Sequence, residues 1–275
     1  MTEAENIKVF EDTLKQIDEK YSADKSKAVY YNGNIPRRES NFEHTPITMV
    51  HGGTVNTGYA NSGTMRTAIL NFADAIRYGG WVEHGAQTQE ENICRCTNIF
   101  RILGNEESNE KYYAPNRDML KNRSPFDDCH YGNSDEVYTN RIIYIRDAIV
   151  FKDDTTYSEV EPRQLDVITC PAPSARLSVY DAMPIFISRI EQIVLSAIEN
   201  RAECIVLGAW GCGAFCQSPE IVARAFAEVL NKYSGYFKKV VFAIKPTTNW
   251  GDKDLYDTFK FILGKYYKGE VADEK

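Results

Sequence analysis

The sequence predicts an α/β fold, with helices layered on a mostly parallel or mixed sheet. Three observations carry that prediction. From about Pro46 onward, short β-branched runs alternate with helical patterns. Two of those runs pass through glycine-bearing loops straight into helices. The chain has 275 residues, 43% of them hydrophobic and 26% charged, which is ample for a buried core.

The elements follow in order. Ile7, Phe10, Leu14 and Ile17 recur at spacings of three and four, which predicts an amphipathic first helix. A polar stretch ending in Arg37-Arg38-Glu39-Ser40-Asn41 then reads as a connector. Strands are predicted at Ile47–Val50, Thr67–Phe72, Arg141–Ile145, Leu165–Thr169, Glu203–Leu207 and Val240–Ile244. Helices are predicted at Gln89–Leu103, Tyr180–Asn200, Pro219–Tyr233 and Lys253–Leu263. The polar, Asn-, Asp- and Tyr-rich region from Gly104 to about Val137 reads as a long excursion of the kind that often serves function.

Composition excludes several classes. No apolar run approaches the roughly 18 residues of a membrane helix. The acidic, amphipathic start does not resemble a secretory signal. Seven cysteines, an odd number in a large chain, read as reduced thiols in a cytoplasmic setting. A net charge of −7 argues against a non-specific nucleic-acid surface, but not against one small anion site built from backbone N–H groups.

The first glycine loop reads Asn71-Phe72-Ala73-Asp74-Ala75-Ile76-Arg77-Tyr78-Gly79-Gly80-Trp81 and leads to Gln89-Glu90-Glu91 at a helix start. Gly79 and Gly80 allow close backbone approach to a ligand. Two adjacent carboxyls fit glycosidic chemistry, which needs one group to protonate a leaving oxygen and a carboxylate to handle water. The competing reading is structural: Thr88-Gln89-Glu90-Glu91 has the pattern of a capping box, with Thr88 at the N-cap and Glu91 at N3. A helix N-terminus also lowers a carboxyl pKa, so a general acid there needs desolvation as an offset.

The second loop follows Glu203–Leu207 and carries Gly208, Gly211 and Gly213 before Ser218-Pro219, a good N-cap and first helical residue. Consecutive N–H groups beside a helix start suit a phosphate or diphosphate. The spacing is neither a dinucleotide fingerprint nor a P-loop, and a tight turn without ligand is the alternative.

These segments together resemble the microbial-type poly(ADP-ribose) glycohydrolases of the macrodomain superfamily. That family has a Gly-Gly-Gly loop, a short spacer and Gln-Glu-Glu, and a later loop like Gly208-Ala209-Trp210-Gly211-Cys212-Gly213-Ala214-Phe215. Ile143–Asp154 and Asp166–Pro173 add further likeness, so the resemblance runs from about residue 47 to 235. It implies a three-layer α/β/α macrodomain with a mixed central sheet, a catalytic domain over 46–270 and an N-terminal helical extension over 1–45. It makes Glu91 the catalytic carboxylate, with Glu90 and Asn71 orienting the distal ribose. Gln89, Gly79 and Gly80 become further ligand-side positions. Gly211, Cys212, Gly213 and Ala214 would wrap a diphosphate, and Phe215 would pack on the ribose. No metal or cofactor is implied. The implied partner is ADP-ribose or its polymer, acted on by a monomer without membrane or sequence-specific nucleic acid. Two departures stand out: Trp81 replaces the third loop glycine, and Cys216-Gln217 replace the residues usual after Phe215. They motivate one alternative, an ADP-ribose reader without turnover; a second, a hydrolase of mono-ADP-ribosyl or related NAD-derived linkages, stands because the sequence does not separate it from polymer cleavage.

Other residues carry weaker signals. His51, His84, the Cys129-His130 pair and Cys94-x-Cys96 fit no zinc spacing. Cys212 reads as a small packing residue, because no partner histidine is evident. Tyr112, Tyr113, Tyr131 and Tyr138 offer stacking faces, although loop packing explains each as well. Lys245–Trp250 follows a strand and is a further candidate for lining the site.

Overall fold

The alternating pattern resolves into an eight-stranded mixed sheet in the computed structural model, which describes residues 1–22, 26–33, 35–36, 39–40, 42–121, 138–173, 179–246 and 254–274. The strands are β1 (Lys27–Asn32), β2 (Ile47–His51), β3 (Thr67–Phe72), β4 (Arg141–Lys152), β5 (Glu159–Cys170), β6 (Cys204–Leu207), β7 (Lys239–Ile244) and β8 (Val271–Asp273). Their order across the sheet is β1-β4-β5-β3-β6-β7-β2-β8. β1 and β5 each pair antiparallel with β4, and all other pairings are parallel.

Helices are α1 (Glu3–Glu19), α2 (Thr54–Ser62), α3 (Gln89–Cys96), α4 (Ile99–Leu103), α5 (Glu106–Ser108), α6 (Ala114–Lys121), α7 (Val179–Glu199), α8 (Pro219–Lys232) and α9 (Leu255–Tyr266). They cover both sheet faces, because the central strands are buried on both sides. Leu70, Ile168, Leu207 and Phe242 pack against Phe186, Ile190, Phe226 and Phe259 of α7, α8 and α9. Ile69, Val167, Val206 and Val241 turn the other way, onto Val55, Ile93, Ile99 and Phe100. Phe10 of α1 joins that second core, and Ile17 packs with Ile149 and Phe151.

The structure corrects the sequence reading in four places. The predicted helix Gln89–Leu103 is two helices, since Thr97 bridges Val150 and the Asn98 side chain accepts the Ile149 N–H at 2.9 Å. The polar connector after α1 carries β1, an edge strand on β4, so residues 1–45 hold a strand as well as a helix. The excursion after Gly104 begins as α5, a π-helical turn at Asn109–Tyr113 and α6, with Tyr112 and Tyr113 fully buried rather than free to stack. β4 and β5 run past their predicted ends. A bulge at Arg146-Asp147, where Asp147 has φ of 55°, breaks the pattern but not the pairing.

That long β4–β5 hairpin matters for the site. Its arm lies along α2, with the Tyr59 hydroxyl donating to the Glu161 carbonyl at 2.9 Å. Its tip returns to the carboxyl ends of the parallel strands. There the buried Asp154 carboxylate accepts the Val55 and Asn56 N–H groups at 3.0 and 3.3 Å, capping α2.

Candidate active site

The two glycine loops leave the carboxyl ends of β3 and β6, which are paired neighbours. Ligands of open α/β sheets bind outside that edge. The loops meet directly: a Cβ on Gly208 would lie 3.0 Å from the Phe72 ring.

The Gln-Glu-Glu segment is bolted to the end of β3. The Gln89 carboxamide continues the strand edge, accepting the Phe72 N–H at 2.8 Å and donating to the Leu70 carbonyl at 2.7 Å. This fixes the first residue of α3 and commits the Gln89 side chain to the scaffold. Glu90 accepts from the Asn71 amide at 3.3 Å and from the Asp74 N–H at 2.7 Å. Asn71 also donates to the Thr169 hydroxyl at 3.3 Å. Its carbonyl oxygen is buried with no partner among the described residues, the kind of acceptor that a ligand hydroxyl satisfies. Asp74 in turn accepts the Ile76 and Arg77 N–H groups at 2.8 and 3.1 Å, setting the turn into the glycine loop.

Glu91 is 4% exposed and Glu90 2%. The Glu91 carboxylate accepts the Trp81 N–H at 2.9 Å and the Thr88 hydroxyl. This corrects the capping reading. Thr88 does sit at the N-cap, with φ −78° and ψ 179°, but its side chain makes no cap hydrogen bond, because the hydroxyl donates to the Glu91 carboxylate. Gly79 and Gly80 have φ of 67° and 57°, the left-handed region that favours glycine. A Cβ on Gly80 would lie 2.3 Å from Glu91 Oε1 and 3.4 Å from Glu90 Oε2, so both carboxyls converge on that glycine. Trp81 has φ −106° and needs no glycine, which explains how the loop accepts a large residue there.

Burial pushes the Glu90 carboxyl well above the usual range, with the Asp74 N–H pulling the other way and the charges of Asp74 and Glu91 adding to the rise. Asp74 is also raised, again through burial, opposed by its two N–H donors.

The second loop is built around Trp210, fully buried, whose indole N–H donates to the Cys170 carbonyl at 3.1 Å. Gly211 has φ of 80° and packs against Ala172, where a Cβ would come within 2.9 Å. Gln217 anchors the far end, donating from its backbone to the Gly211 carbonyl at 3.0 Å and from its side chain to the Pro173 carbonyl at 2.8 Å. Gly213 and Ala214 are exposed at the crest, with open space where a Gly213 Cβ would point. Phe215 is half-buried beside them. Cys212 is buried and its thiol is pushed up by that burial, in keeping with a packing role. Ser218 caps α8 as expected, accepting the Ile221 N–H at 3.4 Å, and Pro219 opens the helix.

Apart from His84, which borders the first loop, the remaining described candidates stand away from this cleft or inside the cores. His51 stacks on Tyr256 with ring centroids 3.5 Å apart, and His84 lies against Trp81. Cys94 and Cys96 are buried in α3, and the six described cysteines are free thiols. Lys245 reaches the Asp154 carbonyl at 3.2 Å. Tyr138 is buried. Cys129, His130, Tyr131 and Thr247–Trp250 lie outside the described residues. Sequence reasoning did not find the groups that hold the carboxylates. The Trp81 and Asp74 contacts are backbone N–H groups, which carry no side-chain signal. Thr88 did carry one, but the same pattern reads as a cap.

The eight-stranded mixed sheet between helical layers, with two glycine-bearing loops at its carboxyl edge, is a macrodomain-like α/β fold shared with the solved structures named below. Residues 3–153 match the family described as microbial-type PARG, catalytic domain. The chain therefore belongs to the microbial-type poly(ADP-ribose) glycohydrolase family. Among solved structures it is similar to poly(ADP-ribose) glycohydrolase from Thermomonospora curvata, at 22% identity and TM-score 0.78 over 93% of this chain and 98% of that one. The same enzyme bound to the inhibitor ADP-HPD matches at 24% identity and TM-score 0.72, over 93% and 98% of the two chains. The Deinococcus radiodurans enzyme in complex with ADP-ribose matches at 26% identity and TM-score 0.72, over 86% and 94%. Comparison with curated protein sequences gives no match.

Proposed function

We propose that this protein hydrolyses the ribose–ribose O-glycosidic bonds of poly(ADP-ribose), releasing ADP-ribose, with Glu91 as general acid and base. The observation that carries this reading is the convergence of two buried carboxyls on Gly80, with Glu91 held by the Trp81 N–H and the Thr88 hydroxyl. The Gly79–Gly80 and Gly211–Phe215 loops clamp the terminal unit, and remote binding energy brings its anomeric carbon to Glu91. Glu91 gives its proton to the departing ribose oxygen as the carbon–oxygen bond breaks and positive charge develops on the sugar. The resulting carboxylate takes a proton from water as that water bonds to the same carbon, which restores the acid. One carboxyl serves both steps, unlike the usual two-carboxylate glycosidase.

Burial biases Glu90 toward its neutral form, so the substrate's diphosphate need not approach two adjacent anions. Glu90 and Asn71 then orient the ribose through hydrogen bonds. The reading takes 46–270 as the catalytic body and 1–45 as an extension packed on it through Phe10 and β1. It places a monomer in the cytoplasm, with no membrane or sequence-specific nucleic acid involved. No described helix is long and apolar enough to cross a membrane.

The test is release of free ADP-ribose from poly(ADP-ribosyl)ated protein by the wild type and by Glu91→Gln. Release by the wild type, at least about 100-fold slower in the variant with ADP-ribose binding kept, is the expected result. Equal release by both makes Glu91 a structural residue. Binding without release by either makes the protein a reader, and release only from mono-modified protein moves the substrate to single units.

A further inference from the structure

The loop from Asp74 to Trp81 turns its small residues inward and its large ones outward. Gly79 and Gly80 lie against Phe100 and Glu91, whereas Ile76 is 37%, Tyr78 40% and Trp81 46% exposed. Single exposed apolar residues are normal on a protein surface, but neighbours on one loop beside a catalytic group form a patch with a use. Trp81 occupies a position whose backbone conformation makes no demand for it. Arg77 lies over its indole, the guanidinium carbon 3.7 Å from the ring centroid. Arg117, also on the surface, donates to the Ile76 carbonyl at 2.9 Å and brings a second cation to the same loop.

Position gives the patch its meaning. The Trp81 N–H touches Glu91 Oε1, so the indole starts one backbone step from the proposed reaction centre. Arg77 covers one face of the indole and the His84 ring meets it edge-on at 5.0 Å, yet Trp81 keeps 46% of its surface exposed, and an aromatic stacked on a guanidinium suits a flat heteroaromatic base next to phosphate. On a chain of net charge −7, a local pair of arginines lowers the repulsion that a polyanion meets.

We propose that Trp81 and Arg77 form a subsite for the adjoining nucleotide unit of the polymer, the part that stays behind when the terminal ADP-ribose is cut away. Its adenine stacks on the Trp81 indole and its diphosphate meets the Arg77 guanidinium. This rests on hydrolysis at Glu91. The subsite favours chains of two or more units and leaves capture of free ADP-ribose alone.

The experiment measures binding in a Glu91→Gln background, so that the polymer survives. Polymer of defined length and free ADP-ribose are titrated against the parent, Trp81→Gly, Trp81→Phe and Arg77→Ala. Trp81→Gly and Arg77→Ala are each expected to weaken polymer binding about tenfold, the scale of one lost base stack. For each variant the loss for polymer is expected to exceed the loss for free ADP-ribose by at least about fivefold, and Trp81→Phe to keep most of the polymer affinity through its remaining aromatic face. Equal losses for polymer and monomer, no loss for either, or failure of Trp81→Phe to rescue overturns the subsite. So does single-stranded RNA competing as well as polymer, which makes the patch a general nucleic-acid platform. The wild-type release assay separates the two ideas. Polymer-specific loss without any ADP-ribose release keeps the subsite and sinks the hydrolysis.

Discussion

The chain contains the Thr-x-x-Glu pattern at two helix starts, and it uses the pattern in two different ways. At α1, Thr2 and Glu5 form a capping box: the Thr2 hydroxyl accepts the Glu5 N–H at 3.3 Å and Glu5 accepts the Thr2 N–H at 2.7 Å. At α3, Thr88 and Glu91 form neither bond, and the Thr88 hydroxyl and the Trp81 N–H both serve the Glu91 carboxylate. The difference lies in what stands opposite. Thr2 faces solvent, so the carboxylate has only its own helix to bind. Glu91 faces a loop whose left-handed glycines bring an N–H to it. A cap contributes about 1 kcal/mol, and a site that holds a carboxylate for chemistry gives that up.

Neutralising the two glutamates breaks the comparison most strongly. Glu91→Gln should lower turnover at least about 100-fold, whereas Glu5→Gln should leave kcat and KM on polymer within about twofold. Comparable losses in both would mean that α1 and α3 play the same structural part. The next largest effect is expected at the glycine that separates the two environments. Gly80→Ala meets both a φ of 57° and a Cβ 2.3 Å from Glu91 Oε1, so the carboxylate must move. We expect kcat to fall about tenfold or more, since about 1 Å of misplacement is enough for large losses. Gly213→Ala adds its Cβ in open space, and its thermal midpoint should match the wild type.

These contrasts also mark what the sequence makes legible. β3 is read residue for residue, because Thr67–Phe72 is a short, mostly apolar run that follows Arg66 and ends two residues before Asp74. β1 escapes, since as an edge strand it is half-buried along its length and shows no clear alternation. α2 escapes too: Thr54–Ser62 is poor in apolar residues, and its start is capped by Asp154 from a distant hairpin. In the site, Glu90, Glu91 and the glycines stand out in the sequence, but their spacing alone reads equally as a helix cap and a tight turn, and it is the resemblance to the family that marks them as site positions. The positions of Asp74 and Trp81 are not legible, because their N–H groups reach the carboxyls only after the loop has folded. The role of Gln89 is likewise set by the strand end that it completes.

A smaller effect separates Glu90 from Glu5 by pH. Burial raises the folded-state pKa of Glu90, so between the ordinary value near about 4.3 and the raised one the folded protein holds a proton that the unfolded chain releases. Its contribution to stability is full below the ordinary value and is lost as pH rises through the raised one. Glu90→Gln, which resembles the protonated carboxyl, should therefore gain in thermal midpoint relative to wild type as pH rises from about 4 toward 8. A constant difference across that range would show that Glu90 titrates in the folded protein as it does in the unfolded chain.

The smallest effect is the loss of the capping threonines. Thr2→Ala removes an acceptor for the Glu5 N–H and should cost about 1 kcal/mol, a shift of roughly 2–4 °C in a domain of this size. Glu5 is held below the usual carboxylate range, first by the Thr2 N–H, so its share of the cap is present above that range and fades as pH falls through the lowered value. The stability deficit of Glu5→Gln should therefore shrink in acid, the opposite trend to that of Glu90. Thr88→Ala removes no cap and should lower the midpoint less than Thr2→Ala does, while slowing release of ADP-ribose because Glu91 Oε2 loses its donor. Scanning calorimetry and the release assay on the two variants separate the roles. If Thr88→Ala costs as much stability as Thr2→Ala and no activity, the two Thr-x-x-Glu starts are alike and the distinction between cap and site collapses.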